Sequence, residues 1–438
     1  MKPYGCAPTL LAVTGTGGPP APAISAGDHD VDTYVELILN EIGVPQRMRK
    51  HVGRPPTSCE DASVSAGGGY LFVFVCAGCG AELTAPLSQV SLPVHARQKY
   101  GNGTQLPVLM QSGTFAVDPD PWGGPWRMWD EIEPGEAEAR GIYAPVYALS
   151  DSTPGASVIA PGDVRGTRLI PEKRGGACCG LDGADGPNMA CEACNLPVAT
   201  RVDDCSLWQT VRLSSDAVRR IPVDGIHAAP LSWAELAEKG EKTPPFEPIA
   251  TWGGRLGSNH YWSWSPQWEA AAGHALAHLL VASQGQPVKV PGGLPTDVFQ
   301  RALDALLPPS LPKRRAVLAG PGQPSPDAGL GILLVPVHPQ TGQTWTPASP
   351  IAPAYLVPLP LGVWLWLVSP QPYVPVPASG RVPQDVLRDD PLPLLPNHLF
   401  RTDRGTFQHT LVRLPAVRSP WLRTILQNLM EGTSADLF

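Results

Sequence analysis

Apolar positions follow two different periods along this chain. From Tyr70, "YLFVFV" is an unbroken run of apolar, β-branched and aromatic residues, which predicts a buried strand. "AELTAPL" is its candidate return strand, and "LPVATRV" and "LWQTVRL" predict two more. Helical spacing appears first in "DVDTYVELILNEIG", where Val35, Leu37, Ile38 and Ile42 share a face and Gly43 suits the stop. "LSWAELAEKG" predicts a helix capped by Ser232. Residues 266–284 predict a longer one, with Ser265 as cap, Pro266 in the first turn and Gly285 as the stop. "PTDVFQRALDALLP", capped by Thr296, and "SPWLRTILQNLMEG", with Pro420 in its first turn, predict two further helices. The acidic "DEIEPGEAEARG" predicts a solvated helix.

These elements predict an α+β fold of loop-rich mixed and antiparallel sheets with a few helices. They divide the chain into four segments. Residues 1–57 form a leader of Gly, Pro and Ala plus one helix, and 58–224 a β-rich domain. Residues 225–310 form a helical region with a Trp-rich loop, and 311–438 a proline-rich β region closed by a helix. A length of 438 residues suits two or three domains. The 53 prolines and 45 glycines shorten the elements, while 13 tryptophans argue against disorder. From Ala328 to Gly380 there is no Asp, Glu, Lys or Arg, and eleven of the 53 residues are proline. Proline cannot donate to a sheet ladder, so strands there are expected to be short, bulged or at edges. Such a stretch reads either as a layer buried against the rest or as a surface that binds another protein.

A net charge of −7, with no basic run longer than "KRR" at 313–315, argues against nucleic acid as a partner. "LLAV" near the N-terminus is too short for a signal-peptide core. The most apolar stretch, 351–370, is broken by four prolines and predicts no membrane span. A cytoplasmic protein with reduced thiols is the expectation.

Against that setting the cysteines stand out. Residues 175–205 hold five of the nine. Cys76 and Cys79 in "CAGCG", and Cys191 and Cys194 in "CEACN", have the C-x2-C spacing that turns both sulfurs toward one tetrahedral metal. The residue after each pair, Gly80 or Asn195, tolerates the left-handed turn by which the chain leaves such a knuckle. With strand-like runs beside them, the two segments resemble a zinc-ribbon hairpin, and the expected cofactor is zinc. Two partitions are open. Cys76, Cys79, Cys191 and Cys194 can share one ion across an insertion of 111 residues, the commoner construction. Alternatively Cys179, Cys191, Cys194 and Cys205 form a local site, and the first knuckle recruits Cys59 or His95. Four thiolates fill a zinc shell, which suits a structural role. A site mixing Cys with Asp would be the exception, and Asp203 and Asp204 beside Cys205 keep it open.

The chemistry left over lies in residues 252–278. His274 and His278 in "HALAH" have the helical spacing of a metal pair, but Ala275 stands where a metalloprotease needs glutamate. His260, Trp262 and Trp264 in the preceding loop could line a ligand pocket or act as packing anchors. Three functions follow, in descending order: a scaffold or protein-interaction protein with structural zinc, an enzyme with its pocket near 252–278, and a nucleic-acid-binding zinc-ribbon protein.

Overall fold

The computed structural model describes residues 69–431, apart from 102, 134, 176–177, 252–259, 313, 325–330, 348–354, 371–395 and 397. The helix predicted around Val35–Ile42, and Cys6 and Cys59, lie outside the described residues. The run at Tyr70 forms β1 (Gly69–Cys76) in a nine-stranded sheet. The other strands are β2 (Leu87–Gln89), β3 (Thr114–Asp118), β4 (Ala156–Ile159) and β5 (Thr167–Leu169). They continue as β6 (Met189–Cys191), β7 (Pro197–Val202), β8 (Thr210–Leu213) and β9 (Val218–Ala228). Their spatial order is β9-β1-β2-β3-β4-β8-β7-β6-β5, and only the β2–β3 pairing is parallel. Alternate residues pack one face: Phe74, Phe115, Ile159, Val198, Val211 and Leu213 are almost fully enclosed. Phe74 meets Phe115 edge-on at 5.0 Å, a favourable aromatic geometry.

A second hydrophobic core surrounds the long predicted helix. α1 (Trp233–Lys239) starts with the cap expected at Ser232, and Glu235 completes it as a capping box: the Ser232 hydroxyl accepts from the Glu235 amide at 3.3 Å. β10 (Phe246–Thr251) pairs with β11 (His260–Trp264) and with the short strand Thr104–Gln105. α2 (Pro266–Ser283) follows. Ser265 precedes it without capping it, because the Ser265 side chain bonds Glu247 instead. Thr296 is not a cap either. It lies inside a π turn, Thr296–Gln300, that leads into the helix Arg301–Leu306, and its hydroxyl donates to Pro291 O at 3.1 Å. α2 is covered on both sides, with Trp268, Ala270, Ala275, Ala277, Leu276 and Leu280 all buried.

The proline-rich region departs from expectation. It contributes three strands, β13 (Arg314–Leu318), β14 (Ile332–Val337) and β15 (Tyr355–Pro360), to a four-stranded parallel sheet that β12 (Val288–Lys289) begins, in the order β12-β13-β14-β15. β14 is an inner strand despite Pro336. That proline is the last residue but one, so the missing amide costs the ladder little, and its carbonyl accepts from Trp345 N at 2.9 Å. Pro358 and Pro360 sit on the edge strand β15, where a missing donor is tolerated. Ile332 to Val335 are wholly buried, as the unbroken apolar run of a strand covered on both faces requires. The chain then turns into α3 (Leu361–Val368), whose Trp364 indole donates to Leu334 O at 3.2 Å. Within 328–380 the described strands and helix are therefore largely core. α4 (Arg404–Leu411) and α5 (Pro420–Met430) complete the helical layer. Among the described residues, no helix is long and apolar enough to cross a membrane.

Charge inside the sheet ties its far face to the helices. Asp118 on β3 pairs with Arg212 on β8 at 2.7 Å, with side chains 1% and 4% exposed, and also with Arg97. Trp122 lies under the Arg212 guanidinium, 4.6 Å from carbon to ring centre. Asp120 meets His409 of α4 and Arg413, each at 3.0 Å. Burial works to raise the Asp120 carboxyl, but the His409 hydrogen bond and the Arg413 and Arg97 charges hold it far below the usual range. Removing one partner of a buried pair strands the other charge. The substitution Asp118→Ala is expected to destabilise the protein by about 3–5 kcal/mol, read as a lowered denaturant midpoint.

Candidate metal centre

Both C-x2-C pairs sit at hairpin tips built alike. β1 ends at Cys76, and its return passes through Leu83, whose amide donates to Phe74 O at 2.8 Å. β6 ends at Cys191 and returns as β7. Cys76 N donates to Ala81 O at 2.8 Å, and Cys191 N to Leu196 O at 2.9 Å. The amides of Gly80 and Asn195 donate back to Cys76 O and Cys191 O, both at 2.9 Å. Closing that ring demands a left-handed residue, and Gly80 (φ 79°) and Asn195 (φ 64°) supply it, as the sequence predicted. A third segment joins the tips: Arg165 N donates to Leu83 O at 2.8 Å, and Glu192 N to Gly166 O at 2.9 Å.

The tips meet through sulfur. Cys76 Sγ lies 3.5 Å from Cys194 Sγ and Cys79 Sγ lies 3.6 Å from Cys191 Sγ. All four sulfurs fall within 4.8 Å of one another. A tetrahedron with bonds of 2.3 Å has edges of about 3.8 Å, so this grouping can hold one metal ion. In each pair the first cysteine is buried and the second exposed. Burial pushes the Cys76 thiol up, but the amides of Cys79 and Gly78 and the Cys194 side chain outweigh it and bring it down to about 7. Cys194 receives the Leu196 amide, which favours the thiolate, yet Cys76, desolvation and the other two thiols push it up to about 12. One thiolate among four sulfurs raises the cost of the next, and a bound cation removes that cost.

The remaining thiols do not join this group. Cys179 and Cys205, expected beside Cys191 and Cys194 in the local partition, instead gather with Cys178 and Asp204, again within 4.8 Å. Cys178 Sγ is 3.3 Å from Cys205 Sγ, and Cys179 Sγ is 2.9 Å from Asp204 Oδ1. Cys179 is pushed up to about 12 by burial and by the adjacent Asp204 carboxylate. Cys178 escaped sequence reasoning because the dipeptide Cys178-Cys179 lacks knuckle spacing. The "DDC" run, read as a possible mixed site, pointed to Asp204 and Cys205 and not to Cys178. His95 is not at the first knuckle. It packs against Trp208 with ring centres 4.4 Å apart and planes tilted by 46°, and burial lowers it to about 4.

The Trp/His segment serves mainly as packing. Trp264 meets Phe400 edge-on at 4.9 Å and donates to His398 O at 3.2 Å. Trp262 is half-buried on β11, and the side chain of His260 lies outside the described atoms. His274 and His278 lie 4.8 Å apart ring to ring, and His274 Nδ1 bonds Thr410 Oγ1 at 3.1 Å. Burial lowers them to about 3 and about 4, with His278 and His409 adding to the effect at His274, so both are neutral. His274 and His95 reach the wall of a cavity of about 620 Å³, which Lys239, Lys242 and Gln267 also line.

Comparison of the chain with known protein families, with curated proteins and with solved structures finds no match. The geometry alone therefore carries the functional reading.

Near the start of α2, Glu269 accepts a hydrogen bond from Tyr100. Burial lifts its carboxyl from 4.5 to about 8; Asp403 and Glu247 add to the rise, while Tyr100 and Arg401 oppose it. The native state then holds a proton that the unfolded chain has lost, and stability falls as pH rises from 4.5 to about 8. Glu269→Gln, neutral at every pH, is expected to flatten that fall, measured as melting temperature across this range.

Proposed function

We propose that the chain is a zinc protein in which Cys76, Cys79, Cys191 and Cys194 hold one structural ion. The two hairpin tips then form a zinc-ribbon-like module within a scaffold or protein-interaction protein. The observation that supports this reading is the meeting of four sulfurs from two knuckles of matching backbone geometry, 111 residues apart. An all-thiolate tetrahedral set selects zinc or iron–sulfur chemistry, and two single C-x2-C knuckles are the usual zinc arrangement. A shell of four protein ligands leaves no position for substrate, which supports a structural role over a catalytic one. Thiols kept reduced suit the cytoplasm. The proposed partner is another protein, met by the uncharged 328–380 stretch outside its buried strands β14 and β15 and helix α3, on composition.

A second reading rests on the 620 Å³ cavity: neutral His274 and His95 line it together with Lys242, a set of groups suited to acid–base chemistry in an enzyme. A small molecule that raises the melting temperature of the wild type but not of His274→Ala would favour it.

Metal counting tests the main proposal. Cys76→Ser and Cys191→Ser should each remove the same single zinc ion, and the double variant should remove no more. Chelation of that ion should lower the melting temperature, since binding energy in such modules is folding energy. Protein that keeps its full zinc count in both variants would refute the reading.

A further inference from the structure

The second sulfur cluster is as deliberately built as the first, from different parts. Residues 178–185 fold back onto the end of β7. Leu181 and Asp203 exchange backbone hydrogen bonds at 2.9 and 2.7 Å. Contact at Gly180 is so close that a Cβ there would sit 1.7 Å from Asp203 O, so only glycine lets the strands approach. That approach presses Cys178 and Cys179 against Asp204 and Cys205.

Backbone donors then orient the group. The Cys179 and Cys178 amides point at the two oxygens of Asp204, at 2.8 and 3.4 Å. The Cys205 amide donates to Cys179 Sγ at 3.1 Å, and the Gly103 amide reaches Cys205 Sγ. Arg201, the nearby cation, pairs with Asp203 at 2.9 Å and leaves Asp204 to the thiols. Three sulfurs and a carboxylate oxygen are thus held within 4.8 Å, with amide hydrogen bonds of the kind that fix metal ligands.

We propose that Cys178, Cys179, Asp204 and Cys205 form a second zinc site, independent of the four-cysteine centre and more readily exchanged. Three thiolates and one carboxylate make a closed tetrahedral set within zinc's ligand range. The harder oxygen ligand binds zinc less tightly than a fourth thiolate, which makes this ion the more readily exchanged of the two. Zinc there pins residues 178–185 to the end of β7, so the state of this loop follows the supply of metal.

Purified full-length protein should contain two zinc ions per chain by mass spectrometry. Cys178→Ser with Cys205→Ser should remove one and Cys191→Ser the other, so this proposal and the structural-zinc reading fail separately. Release to a chromogenic chelator should be biphasic in the wild type, and Asp204→Cys should abolish the fast phase. Should the double variant not fold, thiol alkylation of the wild type decides. Brief chelation should expose Cys178, Cys179 and Cys205 to the reagent while Cys76, Cys79, Cys191 and Cys194 stay protected. A single zinc ion with Cys178, Cys179 and Cys205 reactive throughout overturns the proposal. So does a Cys178–Cys205 disulfide in the protein as purified, or the loss of both ions in Cys191→Ser.

Discussion

Four sulfurs crowded within 4.8 Å cannot all carry charge unaided. Two thiolates 3.5 Å apart repel by about 5 kcal/mol even at an effective dielectric of 20, and four sulfurs make six such pairs. The protein nevertheless brings them together, with amides of both knuckles aimed at sulfur. Most of the surrounding architecture serves that meeting. Cys76 and Cys191 end β1 and β6, well separated in the nine-stranded sheet, and the sheet must curl for the two tips to touch. The segment at Arg165 and Gly166, bonded to both hairpins, holds the curl closed.

The far part of the same sheet is anchored by charge. Asp118, between Arg97 and Arg212, turns the middle of the sheet into an ionic junction, and Asp120 extends it to His409 and Arg413 in the helical layer. Each group in this junction compensates another, so the arrangement is intolerant of single losses. Trp122 lies against Arg212 on one side and against Gly183 on the other, where a Cβ would come within 2.9 Å of its ring. The loop of residues 178–185 is thereby in packing contact with the charged junction as well as with the second cysteine cluster.

Local chemistry made part of this structure readable in advance. The knuckle spacing, the left-handed positions of Gly80 and Asn195, and the cap at Ser232 each depend on residues within a few positions, and each formed as read. What depends on distant neighbours was not readable. Ser265 has the right chemistry for a cap, but Glu247 from another strand claims its side chain. Pro336 argues against an inner strand until its place at the strand end is known. Nothing in the sequence announces that Arg212 and Asp118 are buried partners. The placement of Cys179 and Cys205 turned on Gly180 and a bridge to Asp203, a contact that no spacing rule encodes.

The separation of the two knuckles has a consequence for biosynthesis. Cys79 emerges 111 residues before the second knuckle begins. At roughly 5–20 residues per second, that leaves the first pair of thiols waiting on the order of 5–20 s before its partners exist. A nascent chain in that interval presents a two-sulfur half-site on an unfinished sheet, able to pair wrongly with Cys178 or Cys179, which are made first. The turn at Gly80 closes on Cys76 through a bond within five residues, so the geometry that sets both sulfurs to one side of the backbone needs no partner from the later part of the chain.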